Sequence, residues 1–134
     1  MTAPRLFSPI ELRGVRLRNR VAISPMAQYC AEDGCATDWH FAHLGAFATG
    51  GAALVFTEST KVERSGMGSH GDLCLWNEAH VKSLRRITDF VHVNSKAKMA
   101  VQLGHAGRKA SSHRGWEGDN VPLKKGGWPI VAAS

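Results

Sequence analysis

The sequence has too few cysteines, and too poor a spacing between them, for a disulfide framework. Its three cysteines, Cys30, Cys35 and Cys74, are an odd number, and no two of them form a Cys-x-x-Cys pair. Unpaired thiols of this kind are typical of a reducing compartment. We therefore expect a cytoplasmic protein.

Long apolar runs are also missing. No stretch of about 18 apolar residues is present that could span a lipid bilayer. Residues 5–20 alternate charged with single apolar side chains, which is unlike a signal peptide. We expect neither a membrane span nor a membrane partner.

Acidic residues are scarce. The 134-residue chain has 11 Asp and Glu against 17 Lys and Arg, which gives a net charge of +6. A basic protein of this kind could bind a polyanion, but its basic residues are spread along the chain and no nucleic-acid recognition motif accompanies them. The sequence predicts a basic, solvated surface and no nucleic-acid partner.

The chain is too short for a large enzyme barrel. Its 134 residues, 43% hydrophobic and 21% charged, are typical of one soluble globular domain. A complete barrel of eight strand and helix pairs needs roughly 200 to 250 residues. Any sign of a barrel in this sequence would therefore mean that only part of the barrel is present.

The order of predicted elements is that of a parallel α/β fold. Apolar residues alternate on both sides of Gly14, which predicts a β-hairpin over 7–19. Three buried strands are predicted over 20–26, 53–57 and 99–103. Two helices lie between these strands, with N-caps at Thr37 and Asn77 and ends near 50–51 and 94.

Two glycine-rich stretches complete this prediction. Residues 65–72 are expected to form a surface loop, and 104–134 a long loop after the third strand. Strand starts about 30 or more residues apart suit right-handed parallel crossovers, in either a barrel or an open sheet. An open dinucleotide-binding sheet is disfavoured, because the glycine fingerprint is absent between the first buried strand and the first helix.

Chemically active groups are expected where the three parallel strands end, because the loops there converge on one face. The first strand is followed by 24–29, the second by 57–59, and the third by Gln102, His105 and Arg108. Amide, phenol, imidazole and guanidinium groups of this set could hold a planar heteroaromatic molecule.

These segments resemble the Old Yellow Enzyme family of flavin-dependent ene-reductases. The resemblance rests on 24–29 (SPMAQY), 57–59 (TES), 73–77 (LCLWN) and 102–109 (QLGHAGRK). Further motifs are most similar to reductase domains that act with aryl-coenzyme A hydroxylases: 38–40 (DWH), 43–45 (HLG), Trp116, Trp128 and Pro129.

The resemblance implies an eight-stranded TIM barrel with FMN at its C-terminal mouth and the 7–19 hairpin closing its bottom. Residues 1–134 would be the N-terminal portion of a single FMN-binding domain, with the barrel incomplete in this chain. NADH or NADPH would reduce the FMN, and hydride would pass to an activated C=C bond of a small-molecule substrate, enone-like or an aryl or enoyl thioester. We expect the longer protein to be a homo-oligomeric oxidoreductase and the isolated chain to be inactive.

The resemblance also implies roles for individual residues. The residues expected to bind the cofactor are Ser24, Pro25, Met26, Ala27, Ser59 and Gln102. Those expected to bind substrate are Tyr29, His105 and Arg108. No catalytic residue is expected within the chain. Many bacterial members carry cysteine at the position of Ala27, so we expect a changed flavin potential or substrate preference.

Other interpretations of the same residues remain open. His105 and Arg108 could order the long loop, Glu58 could be a buried ion-pair partner for an arginine, and Tyr29 could be a packed aromatic ring.

A metal-binding module is the alternative from another class of protein. Cys30, Cys35, His40 and His43 lie close in sequence, with His70 and Cys74 farther along. Their spacing departs from that of structural zinc sites, so we predict no metal. A truncated, non-catalytic fragment is the third interpretation. With open sheet edges, such a fragment is expected to aggregate or dimerise.

Overall fold

An antiparallel hairpin opens the structure, which is a computed structural model describing residues 4–118 and 121–133. A short 3₁₀ turn, Arg5–Phe7, leads into strand β1 (Ile10–Leu12), which pairs with β2 (Val15–Leu17). Both turn residues have positive φ, 46° at Arg13 and 81° at Gly14, as a two-residue hairpin turn requires. The hairpin predicted over 7–19 is confirmed.

Three parallel strands form the central sheet, in the order β3-β4-β5. They are β3 (Ala22–Ile23), β4 (Leu54–Lys61) and β5 (Lys98–Gly104). Ile23 lies opposite Val55, which in turn lies opposite Met99. The alternation of strands and helices is as predicted, although β3 is shorter than expected because the chain leaves the ladder before Pro25.

Strand β4 is longer than predicted. The prediction of an end at Thr57 was wrong, since Glu58 and Ser59 lie within the strand rather than after it. Strand pairing uses main-chain groups and tolerates these polar side chains: Lys61 N donates to Leu73 O and Lys61 O accepts from Leu75 N, both at 2.8 Å. A register shift between Phe56 and Ser59 accompanies this extension.

Helices α1 (Asp38–Thr49) and α2 (Glu78–Asn94) begin at the predicted caps. At α2, the Asn77 side chain accepts a hydrogen bond from His80 N at 2.9 Å, which satisfies one of the free donors of the first turn. At α1, the first turn is closed by Thr37 N donating to Nδ1 of His40 at 3.0 Å. Within the described residues, no helix is long and apolar enough to cross a bilayer.

The hydrophobic core lies between the two helices and one face of the sheet. It consists of Leu44, Ala48, Ala52, Val55, Ile87, Val91 and Ala97. Side chains alternate along a strand, so Phe56 and its neighbour Ala100 lie on the opposite face from Val55.

The glycine-rich segment 65–72 is packed, not a surface loop as predicted. A 3₁₀ turn, Arg64–Gly66, leads into it, and Met67, Ser69 and Asp72 are buried. Gly71 packs directly on the main chain of Tyr29, where a Cβ would overlap the carbonyl oxygen. The prediction failed because this burial depends on a segment far away in sequence.

The segment after β5 is mostly irregular, as predicted for 104–134. It contains a 3₁₀ turn, Gly107–Lys109, and a single-turn helix α3 (Gly115–Gly118), and Ser112 bridges to Pro122. Residues 119, 120 and 134 of that predicted loop lie outside the described part of the chain.

Candidate functional site

A cavity of about 390 Å³ lies at the carboxyl ends of the parallel strands. Three of the predicted site residues, Ala27, Tyr29 and Ser59, line it. The charged or titratable residues on its wall are Glu58, Lys61, Asp72, Lys109 and His113. The predicted residues Ser24, Pro25, Met26, Gln102, His105 and Arg108 lie outside its lining.

The segment after β3 runs extended across one side of this edge. Ser24, Met26 and Ala27 are exposed. Pro25 has no N–H, and among the described residues no acceptor takes a hydrogen bond from the main-chain N–H of Met26 or Ala27. Two backbone donors are therefore available to a bound molecule.

Gln28 holds the end of this segment in place. Its side-chain nitrogen donates to the carbonyl of Met26 at 2.8 Å, and its side-chain oxygen accepts from the indole nitrogen of Trp39 at 2.9 Å. Its main-chain N–H donates to Oε2 of Glu58 in β4. The segment is thereby attached to both α1 and the sheet.

Glu58 is a buried carboxylate, 5% exposed, that also accepts from a buried histidine. Nε2 of His40 lies 3.1 Å from Oε1 of Glu58. Because Nδ1 of His40 accepts from Thr37 N, the ring hydrogen is on Nε2, which donates to Glu58. The interpretation of Glu58 as a buried partner is supported, but the partner is a histidine and a backbone amide rather than an arginine.

His43, one turn further along α1, does not add a charge to this network at neutral pH. Its burial lowers its pKa below 6.5, and a smaller lowering comes from His40. The attraction of Glu58 opposes both effects without reversing the direction. The imidazole is therefore neutral at pH 7.

A second buried pair lies at the end of β4. Nζ of Lys61 is 3.6 Å from Oδ2 of Asp72 and donates to Oγ of Ser59 at 2.8 Å. Asp72 also accepts from Gly68 N at 2.7 Å and from the Ser69 hydroxyl at 2.9 Å. All the oxygen atoms of this acidic group are thus occupied by donors of the protein.

Ser59 and Gln102 are directly opposite each other on neighbouring strands. The Gln102 side chain is exposed, beside the end of β5. Gly104 packs on the Ser59 hydroxyl, where a Cβ would overlap it. A hydroxyl and a primary amide, each able to donate and accept, are therefore adjacent at the sheet edge.

Tyr29 has a positive φ of 55° and contacts a tryptophan of the long loop. The rings of Tyr29 and Trp116 meet edge to face, with centroids 5.6 Å apart. Trp116 itself is exposed. The packed-aromatic interpretation and a substrate-facing role are both compatible with this position on the cavity wall.

Both ring nitrogens of His105 form hydrogen bonds within the protein. Its Nδ1 accepts from Gly107 N at 3.0 Å, so Nε2 carries the hydrogen and donates to Glu63 at 2.9 Å. Hydrogen bonds from Ser65 and then from His105 lower the pKa of Glu63. These contacts favour a loop-ordering role for His105, while Arg108 is exposed.

Three residues of this site were not predicted from the sequence: Lys61, Asp72 and His40, which is the partner of Glu58. Lys61 lay beyond the predicted end of its strand, and Asp72 was assigned to a surface loop. The available signal is a lone lysine shortly after a strand-like run, but nothing local identifies its partner.

The described residues contain no set of ligands that would support the alternative of a zinc site. Within 4–118 and 121–133, no group of three or more His, Cys, Asp or Glu side chains is placed to hold a metal ion. Both ring nitrogens of His40 are already used. Burial raises the pKa of Cys74 to about 12, with a further contribution from Asp72, which disfavours the thiolate that binds metals.

The chain resembles known proteins along most of its length. The model of the NADH:flavin oxidoreductase / NADH oxidase family matches residues 5–125. An NADH:flavin oxidoreductase of Gibberella zeae is 44% identical over 134 residues, covering 97% of this chain and 32% of its own length. An NADPH dehydrogenase of Listeria monocytogenes is 48% identical over 108 residues, covering 79% of this chain and 32% of its own length.

Solved structures give the same picture. Morphinone reductase in complex with tetrahydroNAD superposes with a TM-score of 0.74 at 26% identity, covering 81% of this chain and 29% of the other. An Old Yellow Enzyme from Pichia gives 0.76 at 23% identity, covering 81% and 28%. The predicted fold class, part of a TIM barrel, is confirmed, and the chain spans about a third of the length of the curated relatives it matches.

Proposed function

Because the chain belongs to the NADH:flavin oxidoreductase / NADH oxidase family, we propose that it forms one wall of the FMN site of an oxidoreductase. The protein takes reducing equivalents from NADH or NADPH and passes hydride to an activated C=C bond. Since the chain spans about a third of its relatives, this activity is proposed for the whole protein and not for residues 1–134 alone.

One observation carries the proposal: the free backbone donors of Met26 and Ala27 lie at the same sheet edge as the Ser59 and Gln102 pair. A flavin ring presents alternating donors and acceptors along its pyrimidine edge, and an amide side chain can form hydrogen bonds with both. Ser24, Pro25, Met26 and Ala27 would lie along the ring, with Ser59 and Gln102 at its polar edge. When bound, FMN supplies the hydride-transfer chemistry.

The other residues of the site would position the cofactor-binding segment and the substrate. Glu58 fixes the segment that carries Met26 and Ala27, since it accepts from the main chain of Gln28. Tyr29, on the cavity wall and packed against Trp116, would limit the water that reaches the substrate side. His105 and Arg108, proposed substrate contacts, would need to act from the loop outside the cavity lining.

The substrate is proposed to be a small molecule with a C=C bond activated by a carbonyl, either an enone or an aryl or enoyl thioester. The short side chain of Ala27 leaves room beside the cofactor and provides no thiol. Both nicotinamide nucleotides occur in the names of the relatives, so both belong in the assay. A homo-oligomeric state and a cytoplasmic location are part of the same proposal, the latter supported by three free thiols.

Reconstitution with FMN tests the proposal. The protein at its full natural length is expected to take up FMN and to lose the flavin's visible absorbance when NADH or NADPH is added without oxygen. Gln102→Leu is expected to weaken FMN binding about tenfold or more, because unpaired polar groups cost about 1–3 kcal/mol. Titration of FMN fluorescence measures this affinity.

Asn94→Leu is the matched control. It makes the same change from amide to leucine at the exposed end of α2, where Asn94 donates to the carbonyl of Phe90 in its own helix. Its FMN affinity should equal that of the unmodified protein. A protein that stays colourless after reconstitution, or a Gln102→Leu variant with unchanged affinity, contradicts the proposal or this assignment respectively.

A further inference from the structure

Lys61 is an unusual residue for its position, a lysine only 9% exposed at the end of a central strand. Burying an ammonium group is costly unless it is paired and hydrogen-bonded. Lys61 has both kinds of partner, since Asp72 lies 3.6 Å away and Ser59 accepts from it at 2.8 Å. The chain therefore maintains a buried positive charge beside the proposed flavin edge.

The direction of the Lys61 hydrogen bond determines which hydrogen bonds the Ser59 hydroxyl can still make. An ammonium group only donates, so the Ser59 oxygen is the acceptor. The hydrogen of the Ser59 hydroxyl has no acceptor among the described residues and is left to donate outward. Gly104, which has no Cβ, leaves the space that this arrangement needs.

Asp72 is held as firmly as Lys61. Gly68 N and the Ser69 hydroxyl donate to its two oxygens, and Lys61 neutralises its charge. The packed segment 65–72 thus places the Asp72 carboxylate beside Lys61 at the end of β4. This ion pair gives a structural reason for the burial of the segment.

Building on the proposed function, we propose that the Lys61–Asp72 pair orients the Ser59 hydroxyl toward the flavin and sets the flavin's reduction potential. Lys61 and Asp72 act here as positioning residues, because neither is proposed to touch the reacting atoms. Reduction adds negative charge to the cofactor. A nearby positive charge therefore favours the reduced form, and a nearby negative charge opposes it.

Opposite substitutions should shift the potential in opposite directions. Lys61→Met leaves Asp72 unneutralised, so at a fixed redox poise the ratio of reduced to oxidised FMN should fall about tenfold. Asp72→Asn keeps the shape of the side chain and leaves Lys61 unneutralised, so the ratio should rise. The double variant should return to within about threefold of the unmodified protein.

The experiment is equilibrium redox titration of the flavin-loaded, full-length protein against a reference dye. Lys98→Met is the matched control, since Lys98 is an exposed lysine at the other end of the sheet, in β5. It should leave the potential unchanged, because solvent screens a distant surface charge. Lys61→Arg keeps the charge and should stay near the unmodified value. If Lys61→Met does not fold, Asp72→Asn alone tests the inference, because an unchanged or lower ratio of reduced to oxidised FMN in that variant overturns it.

The outcomes separate this inference from the proposed function. Single variants that shift in the same direction, or a Lys61→Met potential equal to that of the unmodified protein, overturn the inference alone. A shift in Lys98→Met as large as that in Lys61→Met also overturns it. An unmodified protein that binds no FMN overturns the inference together with the proposed function.

Discussion

Glu58 connects three parts of the molecule that are distant in sequence. Its carboxylate, buried in β4, accepts from the main chain of Gln28 and from the ring of His40 in α1. A carboxylate suits this place because it only accepts, and both neighbours are donors. The position of the backbone that carries Met26 and Ala27 therefore depends on the Glu58 side chain.

Glu58→Ala is expected to destabilise the protein by about 2–6 kcal/mol, because the buried His40 ring and the half-buried Gln28 N–H lose their acceptor and each unpaired donor costs about 1–3 kcal/mol. The free energy of unfolding, measured in denaturant, checks this value. Glu63→Ala is the control: Glu63 accepts from His105 at the surface, where water can replace the lost contact, so this variant should lose clearly less stability. Equal losses in the two variants would contradict the central role of Glu58.

The position of a proposed site residue in the fold could be predicted where the signal is local, while its role stays a prediction. Ser24 and Ala27 come after the short apolar run 21–23, and Gln102 lies near the end of a strand-like run, so the pattern alone places them at or near strand ends. Lys61 and Asp72 could not be predicted, because their pairing requires segment 65–72 to fold back on Tyr29. The burial of Glu58 likewise depends on contacts across the fold.

Among the secondary-structure elements, the helix starts were predicted and the end of β4 was not. A cap such as Asn77 is encoded by a side chain next to the helix that it begins. The end of β4 instead depends on pairing with Leu73 and Leu75, which lie beyond a turn. Local chemistry thus decides the helices, and non-local pairing decides the strand that carries most of the site.

Asn77→Ala is expected to destabilise the protein by about 1 kcal/mol, the usual effect of removing an N-cap acceptor. The loss arises because His80 N, in the first turn of α2, no longer has a side-chain partner. Asn94→Ala, at the exposed other end of the helix, should cost a smaller amount. Thermal unfolding of the two variants in parallel makes the comparison, and equal midpoints would contradict the cap's contribution.

For the molecule as a whole, the notable feature is apolar surface on the last strand of the sheet. In the described part of the chain, β5 is an edge strand, and Val101 and Leu103 on it are exposed. A groove of about 370 Å³ also runs between α2 and β5, lined in part by Leu84 and Met99. Monomeric proteins seldom leave an apolar strand edge uncovered.

The 134-residue chain on its own is therefore expected to associate, by dimerisation or in larger species, through the β5 edge. Leu103, 61% exposed on that edge, is the residue to change. Leu103→Lys should shift the population toward monomer, because an exposed lysine opposes strand addition. Leu6→Lys, at an equally apolar exposed position in the Arg5–Phe7 turn, should leave the association unchanged. Sedimentation velocity distinguishes these states: a monodisperse monomer of the unmodified chain, or equal effects of the two lysines, would show that the edge does not drive association.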